Sequence, residues 1–216
     1  MWIASLRLGI ALSLLVTLFP AQLSRPTKDL GFEARPLSAR AEHEFGFRSR
    51  SDAALVEWAL TRFDRAGLVL PPLVISFHDD RTGCDGNFGL YRSGAPAQVD
   101  ICGFNWHRFV VTAKKTLLHE LAHAWTGHAL TETARDEFVD LRGLDTWGDD
   151  EFPWEEQGSE QAAEIIAWGL MDDDLDLTRL KDASPPALSE AYRYLTGSLP
   201  ALRVQGLLHQ HVGVSR

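Results

Sequence analysis

Apolar positions recur at helical spacing in five stretches of this chain. Over residues 52–66, Ala54, Leu55, Trp58, Ala59 and Phe63 share one face, with Ser51 placed to cap the start and Gly67 to stop the helix. Residues 116–126, TLLHELAHAWT, offer Leu117, Leu118, Leu121, Ala122 and Trp125 for burial, and Gly127 is the expected end. Residues 131–141 predict a helix capped by Thr131, with Glu132 at its positive end. Residues 159–171, SEQAAEIIAWGLM, predict a strongly apolar helix capped by Ser159, and residues 187–195 predict a last one after Pro185 and Pro186. Between the first two helices the pattern changes. Residues 73–77 (LVISF), 87–91 and 98–101 read as short strands, the last two joined by a turn around 93–96. The order predicts an α+β fold with a small sheet packed against helices.

The ends of the chain follow no such pattern. Arg7 precedes a charge-free apolar run over residues 8–19, the layout of an export signal. The run is short for a membrane span. A longer count is possible only by including Arg7, which can snorkel. No small-x-small pair stands around residues 20–24. A cleaved signal and a retained N-terminal membrane anchor over 1–24 therefore both stay open. The chain is expected to be exported, either secreted or anchored on the extracytoplasmic side. Residues 25–50 read as a linker and 51–216 as one domain.

With 45% hydrophobic and 24% charged residues, the composition is that of a globular protein. The net charge of −9 leaves no basic footprint for phosphates and argues against a nucleic-acid partner. Cys84 and Cys102 are the only cysteines. In an exported chain an even pair suggests a disulfide, which would close a loop of about 18 residues worth roughly 3 kcal/mol; two buried thiols are the alternative.

The candidate chemistry sits in the second helix. His119, Glu120 and His123 form H-E-x-x-H. Two imidazoles at i and i+4 lie on one helical face, one turn apart, and can share a tetrahedral metal ion. Glu120, next to the first of them, can reach a water at the open coordination position and act as general base. The competing reading is a surface helix with two solvated histidines. Glu160 and Glu164 lie one turn apart on the later apolar helix, where like charges repel unless a cation relieves them; a third ligand is expected from this pair. His78, Asp79 and Asp80 read as a solvated loop end, the acidic run 149–151 as a solvated face, and His43, His209 and His211 as solvated histidines.

His119-Glu120-x-x-His123 followed by Glu160-x-x-x-Glu164 resembles the zincin metallopeptidases, and within them the gluzincins, whose third ligand is a glutamate on a second helix. The metzincin extension is absent, with Thr126 at the position of its Gly and Ala129 at that of its third His. The resemblance implies a zincin-like domain in minimal form: a small mixed β-sheet packed with an N-terminal helix, an active-site helix and a glutamate helix. It implies one Zn2+ per chain held by His119, His123 and Glu160, with Glu120 as catalytic base. Glu164 would orient a ligand histidine; the reverse assignment of the two glutamates is the alternative. It implies zinc-dependent hydrolysis of a peptide or protein substrate, with 98–101 as the edge strand above the cleft. Tyr192, Tyr194 and Arg142 are the candidates for the transition-state stabiliser, which no motif places. The other reading of the chain is an inactive zinc-binding module of the same fold at the cell surface. No motif specifies an oligomeric state.

Overall fold

A computed structural model describes residues 44–46, 48–104, 110–148 and 151–200. The predicted signal or anchor, most of the predicted linker, and His43, His209 and His211 lie outside these residues. Among the described residues, no helix is long and apolar enough to cross a membrane.

The fold is α+β. Its elements are β1 (Glu44–Gly46), α1 (Arg50–Ala66), β2 (Leu73–His78), β3 (Gly89–Arg92), β4 (Ala97–Cys102), α2 (Val110–Ala129), α3 (Glu132–Arg142), α4 (Gly158–Leu170) and α5 (Pro185–Thr196). The sheet has the order β1-β2-β4-β3. β1, β2 and β4 run parallel, and β3 pairs antiparallel with β4. β1 lies within the stretch predicted as linker, and three residues of mixed polarity carry no periodic signal to announce a strand.

Side chains alternate across β2, burying Leu73, Ile75 and Phe77 against the helices, while Val99 and Ile101 of β4 do the same beside them. α1 starts earlier than its apolar pattern suggests. Ser49, not Ser51, caps it, in a reciprocal box with Asp52. α3 has the predicted Thr131 cap. α4 begins at Gly158 without a side-chain cap, so Ser159 does not serve as one. α2 passes through Gly127 and ends at Ala129. Gly127 has another use, because a Cβ there would stand 3.0 Å from the Tyr91 hydroxyl.

The core is built where α2 packs along α4. Leu117, Leu118, Leu121 and Trp125 of α2 and Ile165 and Ile166 of α4 belong to one core cluster, all almost fully buried. α4 is buried on every side from Gln161 onward. A helix enclosed in this way can keep polar side chains only if each finds a partner. Gln161 finds them in the carbonyls of Glu155 and Arg179 and in the Lys181 N–H, and so ties two loops to the core. Glu160 and Glu164 find theirs on α2. At the far end of α4, Gly169 admits the Tyr192 ring so closely that a Cβ would fall 2.1 Å from it.

The Cys84–Cys102 disulfide is present and fastens the short 3-10 turn Thr82–Cys84 to the end of β4. His78, Asp79 and Asp80 each engage a different partner: Asp100, Arg48 and the Thr82 N–H.

Candidate metal centre

His119 and His123 project from one face of α2 toward Glu160 in the first turn of α4. Their Nε2 atoms stand 3.1 Å apart. Glu160 Oε2 lies 3.1 Å from the first and Oε1 3.4 Å from the second. Ligand atoms held about 2.0–2.1 Å from a tetrahedral ion are about 3.3–3.4 Å from one another. The spacing of these three groups therefore fits an ion of zinc's ligand distances, and the donor set of two imidazoles and a carboxylate fits its chemistry. It is the only such cluster among the described residues.

The electrostatics call for positive charge at this point. Burial pulls the His119 imidazole toward its neutral form, but the carboxylates of Glu160 and Glu164 outweigh it and push its pKa up to about 10. Burial raises the Glu160 carboxyl, yet the two imidazoles hold it well below the usual carboxylate range. A metal cation answers the same demand by displacing a proton.

Glu164 is the more deeply buried of the two glutamates, with 6% of its side chain exposed against 22% for Glu160. Its Oε2 faces His119 Nδ1 at 3.3 Å, a charged contact bent from ideal hydrogen-bond geometry. Its Oε1 meets Lys115 Nζ at 2.5 Å. Glu160 thus faces the nitrogens turned toward the cluster, and Glu164 stands behind His119. Glu120 points to the other side of the centre, beneath β3. Burial pushes its carboxyl pKa up, against the pull of His119 and His123 and of a backbone hydrogen bond from Tyr91.

A cleft of about 600 Å³ opens over the cluster. One wall is β3 with its approach, from Asn87 to Tyr91; the other comes from the segment between α3 and α4, through Trp147 and Trp154. Trp154 lies nearly parallel to the His119 ring at 6.3 Å and carries the Arg179 guanidinium over its own ring. Tyr91 lies parallel to His123 at 6.1 Å. Gly89 is where the strand comes closest to α2. A Cβ there would stand 2.5 Å from Glu120 Oε1 and 2.7 Å from Thr116 Cγ2.

No protein-family model, curated protein or solved structure matches the chain. What the site can do rests on its own geometry.

Two sequence expectations need correction. β4, which contains residues 98–101, is paired on both sides, so its backbone groups are used; among the described residues the edge strand beside the cleft is β3, whose Tyr91 N–H donates to Glu120. The three candidates for transition-state stabiliser do not line the cleft. Tyr192 is buried against Gly169, and that burial pushes its phenol up to about 12. The Tyr194 hydroxyl donates to Glu137 Oε2 at 2.8 Å. Arg142 donates to the carbonyls of Lys181 and Asp182. Their types suited the role, but side-chain type carries no information about which loop faces the cleft. Gly89, Lys115 and Trp154 escaped the sequence reading. Gly89 had a signal, since a glycine inside a strand often marks close approach of another group.

Proposed function

We propose that this chain is a zinc-dependent metallopeptidase with a zincin-like domain. The observation that carries the proposal is the convergence of His119, His123 and Glu160 on one point, with the buried Glu120 carboxyl beside them and the edge strand β3 above. His119, His123 and Glu160 would hold the ion. Zinc bound there supplies Lewis acidity, activating water and polarising a carbonyl. The chain's own residues do the rest. An extended peptide would lie along the outer edge of β3 and hydrogen-bond to the backbone groups there other than the Tyr91 N–H, which Glu120 holds. Trp147 and Trp154 close the opposite wall and limit water. A Glu120 carboxylate oxygen takes a proton from the attacking water and delivers it to the leaving amine. The water oxygen bonds to the carbonyl carbon as the C–N bond breaks.

The test is metal content and cleavage measured together. Full-length protein purified without chelator or nickel should carry about one zinc per chain by mass spectrometry, cleave members of a peptide library, and lose both with a strong chelator. Removing the metal should also lower the unfolding temperature, since a ligand at 1,000 times its Kd stabilises by about 4 kcal/mol. Folded protein without zinc would overturn the proposal.

The inactive-module reading has one observation in its favour: none of Tyr192, Tyr194 and Arg142 reaches the cleft. Stoichiometric zinc with no cleavage across the library would select it.

Gly89→Ala separates strand position from metal binding. The added methyl must push β3 off Glu120 and Thr116. A misplacement of about 1 Å at a reacting centre can cost 10²-fold in rate. Turnover is expected to fall by about that factor with zinc per chain unchanged; unchanged turnover would show that β3 does not position the substrate.

A further inference from the structure

Lys115 stands four residues before His119 on α2, one turn up the same face. Its neighbour Lys114 turns away, with Nζ over the Trp58 ring at 4.9 Å and 3.4 Å from Asp173. Lys115 instead reaches into the cleft and places Nζ 2.5 Å from Glu164 Oε1. The other oxygen of that carboxylate lies 3.3 Å from His119 Nδ1. One buried carboxylate is therefore held between an ammonium and the back of a candidate ligand.

We propose that Lys115 is a positioning residue for the metal centre, acting through Glu164 on His119. The inference rests on the metal-binding reading above. A carboxylate with 6% of its side chain exposed cannot remain charged in a helix buried on all sides without cationic partners. Lys115 supplies one and pins Oε1, which leaves Oε2 beside Nδ1. An imidazole with a carboxylate set 3.3 Å from Nδ1, even off the hydrogen-bond line, is favoured with its proton on Nδ1 and the lone pair of Nε2 on its opposite side, where His123 and Glu160 converge. The charge count agrees. Three carboxylates, Glu120, Glu160 and Glu164, surround the centre, and a divalent ion leaves one negative charge uncompensated. Lys115 neutralises it from the side away from the ligand nitrogen. It does so without competing for the ion, because an ammonium has no lone pair to offer.

The test measures zinc affinity of the full-length chain by chelator competition, in wild type, Lys115→Met, Lys115→Arg, Glu164→Gln and the Lys115→Met/Glu164→Gln double variant. Lys115→Met is expected to weaken zinc binding about 10–100-fold, the range for loss of a group that orients a ligand. Lys115→Arg should restore affinity to near wild type. Co2+ bound to Lys115→Met should show a shifted visible absorption band, which a role confined to fold stability would not produce. In the Glu164→Gln background, Lys115→Met should cost nothing further, because the residue through which it acts no longer carries charge. Wild-type affinity in Lys115→Met would overturn the inference while leaving the metal site intact. An equal loss with and without Glu164→Gln would overturn it too. Should Lys115→Met alone not fold, the Glu164→Gln pair decides the matter, since it leaves no buried carboxylate at this position. No zinc in the wild type would instead remove the metal-binding reading and this inference with it.

Discussion

Glu120→Gln is expected to leave zinc content at the wild-type level while peptide turnover falls by about 10²–10⁴-fold, the contribution of a positioned acid–base group. The substitution is close to isosteric. Glutamine retains a carbonyl oxygen to accept the Tyr91 backbone hydrogen bond that the carboxylate accepts, so β3 keeps its place above the site. Glu120 is not one of the three converging groups, so the ion loses no ligand. What disappears is the ability to take a proton. Metal analysis and cleavage of the best library peptide, performed on one preparation, check both halves. Turnover that survives the change would remove Glu120 from the proposed mechanism. A parallel loss of zinc would mean that Glu120 acts on the ion and not on the water.

Glu160→Ala and Glu164→Ala should separate as sharply. Both glutamates sit on α4 one turn apart, and both contact His119. Only Glu160 also faces the Nε2 of His123, at 3.4 Å. Its removal deletes a ligand, so zinc should be lost from the purified protein altogether. Glu164→Ala takes away the group behind His119, and an orienting partner of that kind is worth about 10–100-fold in affinity. Zinc should then persist at high concentration and be stripped more readily. Competition with a chelator of known affinity measures the difference. Equal effects of the two substitutions would contradict the division of roles; a larger effect of Glu164→Ala would reverse it.

Much of the fold is legible along the chain because its signals are local. Helix periodicity depends on neighbours three and four residues away, and all five helices appear where the apolar pattern places them, with ends that differ by up to six residues. The shifts have causes. Ser49 won the α1 cap over Ser51 because Asp52 completes its box. α2 runs past Gly127 to Ala129, and the missing side chain there leaves room for the Tyr91 hydroxyl. β1 was invisible because a three-residue strand gains its order from pairing with β2, a contact across the chain.

The candidate site divides along the same line. The sequence by itself determined that His119 and His123 share a face, because i and i+4 meet on any α-helix. It also placed Glu160 and Glu164 on another common face. Which glutamate meets the nitrogens turned toward the cluster, and which stands behind His119, depends on how α4 lies against α2. That crossing is set by packing among residues far apart in the chain. The same holds for the edge strand. Nothing in residues 98–101 or 87–91 says which is paired on both sides; the order β1-β2-β4-β3 decides it and leaves β3 over the cleft. Lys115 acquires its partner only when the two helices are brought together. The chain's local chemistry specified the groups; the tertiary packing of α4 and β3 against α2 decided which atoms face one another, because non-local contacts leave no periodic trace in the sequence.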